Sequence, residues 1–161
     1  MAMAFVTAQR STCLRRQVGC VLLNVRGHVL ATGYNGVAAG QNHCNEPTHL
    51  EDHPTKNVRV LSYGNACPGA QAASGTQLDG CYAIHAEQNA MLQCRDVYDI
   101  ETAYVTASPC VTCTKLLLNT GCQRIVFLEE YPHGDAKTLW TNSRREWQKL
   151  EFKYRFTGAS T

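Results

Sequence analysis

Apolar residues at Met1, Ala4, Phe5 and Ala8 recur close to helical spacing and predict a first helix, which Arg10-Ser11-Thr12 ends. The period then changes. Val18-Gly19-Cys20-Val21-Leu22-Leu23 and Val29-Leu30-Ala31-Thr32 are short apolar runs with Arg26-Gly27 between them, and they read as an antiparallel hairpin. Gly33-Tyr34-Asn35-Gly36 follows the second strand, its two glycines permitting backbone conformations that other residues resist. From Ala38 to Gly80 periodicity fails, and Gly, Asn, Pro, His and Cys accumulate. A stretch of that length inside a compact domain needs something to order it. Metal is the obvious agent, because Cys44, His49, His53, Cys67 and Cys81 lie in or near it.

Regular patterning returns with a helix through Glu87, Asn89, Ala90, Met91 and Leu92. A strand over Glu101 to Ala107, a helix over Val111 to Asn119 and a strand over Arg124 to Leu128 follow, with Gly121 at the helix C′ position. Strand and helix alternating in this way imply right-handed crossovers and a local parallel pairing. Asp135 to Leu150 is predicted helical at least in part, and Phe152 to Phe156 as a last short strand. No repeat, low-complexity tract or linker divides the chain, so residues 1–161 are expected to form one domain.

Composition narrows the class. A chain of 161 residues can bury roughly two thirds of its unfolded surface and needs no covalent staples. A net charge of +2 supplies no broad field for nucleic acid, and no polynucleotide partner is expected. No apolar run is long enough to span a bilayer, and the amino terminus lacks the basic start and apolar core of a secretory signal, so a cytoplasmic location is expected. Nine cysteines, an odd number, then read as metal ligands and buried thiols rather than a disulfide framework.

The chemistry concentrates in His85-Ala86-Glu87 and Pro109-Cys110-Val111-Thr112-Cys113. One imidazole and two thiolates are three protein ligands, the number a catalytic zinc keeps when a fourth position is left for water. Sulfurs three residues apart at a helix start fall on one side of the first turn, and Pro109 fits just before that turn, where a missing N–H costs nothing. The unpaired N–H groups and the positive end of the helix dipole favour the thiolate form. A carboxylate two residues from the histidine can then move protons. His-x-Glu followed by Pro-Cys-x-x-Cys is the signature of zinc-dependent nucleobase deaminases. A closed zinc site with four protein ligands is the competing reading of Cys-x-x-Cys alone.

Over nearly its whole length the sequence resembles the deoxycytidylate deaminases of bacteria and phages. The matching stretches are Arg10-Ser11-Thr12-Cys13, Gln17-Val18-Gly19, Ala31-Thr32-Gly33-Tyr34-Asn35-Gly36, His43-Cys44, Ile84 to Ala90, Tyr104-Val105-Thr106, Pro109 to Cys113 and Gly121 to Val126. The resemblance implies a three-layer α/β/α cytidine deaminase-like fold with a mixed five-stranded sheet. It further implies hydrolysis of dCMP to dUMP and ammonia, activation by dCTP and inhibition by dTTP, in a homohexamer. In that scheme His85, Cys110 and Cys113 hold the catalytic zinc, which activates a water. Glu87 takes the water's proton, delivers it to N3 of the cytosine and later protonates the leaving amine.

The resemblance also assigns binding roles. Asn35 would hydrogen-bond the deoxyribose, Ala86 and the Thr106 to Ser108 segment would present backbone groups to the base, and Tyr131 would pack beside sugar or base. Arg15 or Arg16 would supply a cation for the phosphate. Gly33, Tyr34, Asn35 and Gly36, which point to the deoxycytidylate branch, would carry the effector response. Some relatives hold a second, structural zinc, and the implied ligands here are Cys13, Cys44, His49 and Cys81, with His43, His53 and Cys67 as substitutes. Arg144, Arg145, Lys149, Lys153 and Arg155 read as a solvated face or as a basic cluster for an effector or neighbouring subunit. The competing functions are deamination of another substrate, such as a free nucleoside, a tRNA adenosine or a riboflavin precursor, and a non-catalytic zinc-stabilised binding module.

Overall fold

The computed structural model describes residues 1–41, 43, 44, 67, 69, 72, 73, 80–132 and 134–151. His49, His53, His133 and the strand expected over 152–156 lie outside the described residues. In chain order the elements are α1 (Ala2–Ala8), β1 (Gly19–Leu23), β2 (Val29–Tyr34), β3 (Gly36–Val37), β4 (Ala83–Ile84), α2 (Ala86–Gln93), a 3₁₀ turn (Val97–Asp99), β5 (Thr102–Ala107), α3 (Val111–Leu118), β6 (Arg124–Glu129), α4 (Gly134–Asn142) and β7 (Glu146–Lys149).

Five strands form one sheet in the order β2-β1-β5-β6-β7, and β3 pairs with β4 beside it. The hairpin is antiparallel with Val21 opposite Thr32, and β1 is also antiparallel to β5, whereas β5-β6 and β6-β7 are parallel. The sheet is therefore mixed, as the alternating pattern predicts. At the hairpin turn Gly27 takes φ +78°, a conformation that favours glycine, while Asn24 Oδ1 accepts the N–H groups of Arg26 and His28.

Side-chain alternation divides the layers. Cys20, Leu22, Ala103, Val105, Ile125 and Phe127 pack with Ala86 and Ala90 of α2, Leu117 of α3 and Trp140 of α4 in one buried cluster. The other face carries α1, whose backbone lies so close to β1 that a Cβ at Gly19 would overlap the Ala4 carbonyl. Burial of Phe127 and Trp140 removes large apolar surfaces from water, on the order of 2–3 kcal/mol for each relative to exposure.

Two sequence expectations change. The segment from Asp135 is helical only to Asn142; Arg144, at φ +58°, reverses the chain and residues 146–149 become the edge strand β7. Trp147 turns inward against Phe127, ring centroids 5.2 Å apart, which gives a mostly polar tetrapeptide its anchor. Nor is Gly121 a left-handed helix terminator, since its φ is not positive. It is small because a Cβ there would overlap the carbonyl of Tyr98. Arg145, grouped by sequence with exposed cations, stacks over Trp140 at 5.3 Å and donates to the carbonyls of Leu117 (3.3 Å) and Cys122 (2.9 Å). At Leu117 it joins the Thr120 N–H and hydroxyl, which donate to the same carbonyl at the carboxyl end of α3.

Candidate metal centre and active site

Two helix starts meet at the C-terminal side of β5. His85 is the N-cap of α2, and its backbone N–H donates to Gln88 Oε1 at 2.9 Å. Cys110 is the N-cap of α3, its sulfur accepting the Cys113 N–H at 3.5 Å, with Pro109 just ahead as the spacing requires. Both helices thus turn their positive dipole ends, each capped by a ligand side chain, toward one point.

His85 Nδ1 lies 3.5 Å from Cys110 Sγ and 3.4 Å from Cys113 Sγ. A tetrahedral zinc with ordinary bond lengths of about 2.0 Å to nitrogen and 2.3 Å to sulfur sets such pairs about 3.5 Å apart. The three donors therefore have the shape of a zinc ligand set, and among the described residues they are the only such cluster whose ligand atoms all lie within 4.8 Å of one another. The hydrogen bond from Cys113 pushes Cys110 down to about 4, against the cost of burial, while the same bond and deep burial push Cys113 far up. The hydrogen bond to Cys110 raises His85.

Glu87, in the first turn of α2, is only 4% exposed. Burial raises its carboxyl to about 6, opposed by His85. Its neighbours are the three ligand atoms and an open recess. A carboxyl poised near neutrality beside a metal ligand set is suited to taking and returning a proton.

Asn35, Ala86, Ser108, Tyr131 and Arg15 line this recess, as does Arg16. Thr106 does not: its hydroxyl accepts the Gly19 N–H on the α1 side of the sheet. Ser108 Oγ accepts the Tyr131 N–H at 2.7 Å, fixing the start of the loop after β6. Asn35 is largely committed to the loop after α1. Its Oδ1 accepts from Ser11 Oγ and from the Val18 N–H, and its Nδ2 donates to the Arg16 carbonyl, each at 2.7 Å. One amide hydrogen is left for a ligand. Gly33, Tyr34 and Gly36 are tied to the same region: the Tyr34 carbonyl accepts from Asn89 Nδ2 at 2.8 Å, and Gly36 pairs with Ile84.

Two thiols of a second group, Cys13 and Cys81, line the recess. Cys13 and Cys81 are hydrogen-bonded, which pushes Cys13 down to about 5 and Cys81 well up. Cys44 is hydrogen-bonded to Cys67 and raised by burial, and each pair feels the charge of the other. The structure thus brings the pair Cys13–Cys81 near the pair Cys44–Cys67, the last only 1% exposed, although no three of the four sulfurs lie within 4.8 Å of one another. His43 instead meets the Thr12 hydroxyl at 3.1 Å. Sequence spacing gives no hint that Cys67 joins Cys44, nor that Ser11 anchors Asn35.

A family model described as the cytidine and deoxycytidylate deaminase zinc-binding region matches residues 1–129. A deoxycytidylate deaminase of Mycobacterium phage D29 is 38% identical over 132 residues, covering 81% of this chain and 91% of the phage protein. The deoxycytidylate deaminase of Schizosaccharomyces pombe is 37% identical over 136 residues, and there the match covers 81% of this chain but only 36% of the yeast protein. The chain therefore spans about a third of that longer relative. Among solved structures, the dCMP deaminase of cyanophage S-TIM5 in complex with dCMP and dUMP aligns with a TM-score of 0.66 at 25% identity, covering 92% of each chain.

Proposed function

Because the chain belongs to the cytidine and deoxycytidylate deaminase zinc-binding family, we propose that it hydrolyses dCMP to dUMP and ammonia. The observation that carries this reading is the buried Glu87 carboxylate beside three convergent ligand atoms, within a recess bordered by Asn35, Ser108 and Tyr131. The phage relatives, one of them solved with dCMP and dUMP, support the choice of substrate.

His85, Cys110 and Cys113 would hold the zinc, which when bound supplies Lewis acidity and makes water nucleophilic near neutral pH. Glu87 then does the proton work. As a carboxylate it accepts a proton from the attacking water and delivers it to N3 of the cytosine, so that C4 becomes electrophilic. It next carries a proton to the exocyclic amine, which leaves as ammonia while the C4 carbonyl forms. Ala86, whose peptide opens α2, and Ser108 border the space for the base. A non-catalytic zinc module fits less well, because a purely structural site is closed by a fourth protein ligand and none joins this cluster among the described residues.

The four thiols Cys13, Cys44, Cys67 and Cys81 are the ligands of a second, structural zinc in this reading. Such a site would tie the loop after α1 to the chain ahead of α2 in one domain. A response to dCTP and dTTP through Gly33, Tyr34, Asn35 and Gly36, in a homohexamer, also belongs to the proposal. It is supported by the contacts that join this turn to α2, since an effector moving the turn would move the helix that carries Glu87. No helix among the described residues is long and apolar enough to cross a membrane.

The test is ammonia release by zinc-loaded protein from dCMP, deoxycytidine, adenosine in tRNA and cytosine in single-stranded DNA. Turnover of dCMP above the others is expected; turnover of another substrate without dCMP would overturn the assignment.

A further inference from the structure

Of the three ligand atoms at the metal centre, two belong to one helix start and one stands alone. The Cys113 N–H donates to Cys110 Sγ, so the turn that holds one sulfur holds the other. His85 has no such companion. It joins β4, a strand of two residues, to α2, and its backbone is extended at φ −69° and ψ 156°. A zinc-bound histidine ordinarily donates its far ring N–H to a carboxylate, a carbonyl or a water. Among the described residues, the His85 ring has hydrogen-bonding contacts only with the two sulfurs and with the Gln88 N–H.

What holds the residue is a reciprocal pair with Gln88, the third residue of α2. Gln88 Oε1 accepts the His85 N–H at 2.9 Å, and the Gln88 N–H donates back to the His85 side chain. This is a capping box whose capping residue doubles as a metal ligand. Only half of it is compatible with metal. A neutral imidazole has one acceptor nitrogen, and a ligand bond uses it, so the Gln88 N–H then loses its acceptor. The bond from the His85 backbone to Gln88 Oε1 does not involve the ring and survives. Gln88 itself stands on a fixed base. The next residue, Asn89, donates to the Tyr34 carbonyl at 2.8 Å, and the Ala86 carbonyl lies where a Cβ of Gly33 would be. The Gln88 side chain thus ties the single imidazole to a helix turn already seated on β2.

Resting on the zinc reading above, we infer that Gln88 is a positioning residue for the metal centre, acting through the His85 main chain to set the ring nitrogen against the two sulfurs. It does not line the recess. A side-chain oxygen at this position preserves the bond, and an apolar side chain of equal length removes it.

The experiment measures zinc affinity by competition with a chromophoric chelator, the ion of this centre being the one that Cys110→Ser lacks. Gln88→Met binds that ion about ten- to a hundredfold more weakly, whereas Gln88→Glu stays within about threefold of wild type. Turnover of dCMP by Gln88→Met falls when zinc is limiting and returns to within about threefold of wild type when zinc saturates, because Glu87 is untouched. Leu92→Gly, an exposed site at the far end of α2, weakens the helix without touching the box and changes zinc affinity less than about twofold. In zinc-loaded wild type the His85 amide hydrogen is protected from exchange, and Gln88→Met releases it. Unchanged zinc affinity in Gln88→Met, an equal loss in Leu92→Gly, or the same loss in Gln88→Glu would overturn the inference. So would an unprotected His85 amide in the wild type, a measurement that needs no variant to fold. Wild-type protein with no more zinc than Cys110→Ser would overturn the metal reading itself, a result seen before Gln88 is altered.

Discussion

Gly33 and Ala86 meet backbone to backbone: a Cβ at Gly33 would overlap the Ala86 carbonyl oxygen. The first turn of α2, which carries Glu87, therefore rests directly on β2, and the glycine is required by that close approach rather than by a turn. Gly33→Ala is expected to destabilise the protein by about 3 kcal/mol through overpacking. At Gly36 the nearest obstacle to a Cβ is the Tyr34 ring at 3.6 Å, an ordinary contact, and Gly36→Ala is expected to change stability by less than about 1 kcal/mol. Urea denaturation of both variants checks the contrast, and equal midpoints would remove the packing argument.

Glu87→Gln preserves size and hydrogen-bonding capacity while abolishing proton transfer. Turnover of dCMP is expected to fall roughly 10²- to 10⁴-fold with zinc content unchanged. Near-normal activity in the metal-loaded variant would take Glu87 out of the mechanism.

The burial that raises the Glu87 carboxyl to about 6 sets the acid side of the rate profile. Only the ionised form accepts a proton from water, so kcat/KM should be level above that pH and fall about tenfold per unit below it. The profile is read from initial rates between pH 4.5 and 8. An acid limb centred at the ordinary carboxylate value would show that burial does not raise the carboxyl that governs it.

Metal content should separate the two sulfur sets. The wild-type protein is expected to carry two zinc ions per chain, and Cys67→Ser one, with a lower unfolding midpoint. Cys110→Ser should lose the other ion and all turnover while keeping the first. Atomic absorption on the three proteins checks this, and two ions retained by Cys67→Ser would mean that Cys67 is not a ligand.

Much of the sheet was legible because its strands announce themselves by period. The hairpin of β1 and β2, the β5-α3-β6 crossover and the helix after His85 stand within a residue or two of their predicted limits. The strand β7 was not, since Glu146-Trp147-Gln148-Lys149 offers one apolar side chain, and its pairing depends on Phe127 far back in the chain. The zinc ligand set was readable for a different reason: ligand chemistry constrains spacing within Cys-x-x-Cys and around His-x-Glu, whatever the fold between them. No such rule links Asn35 to Ser11, or Cys67 to Cys44. Those partnerships arise only when loops with no regular period are brought together in space.

The inward turn of Arg145 has a bearing on α3 that reaches beyond packing. Its guanidinium grips the carboxyl end of the helix whose opposite end carries Cys110 and Cys113. The residue just ahead of the edge strand thus braces the thiol pair from the rear, a short rod's length away. Disturbance at that remote margin, whether by trimming or by a neutral side chain in place of the cation, would loosen the grasp of the two sulfurs without touching either.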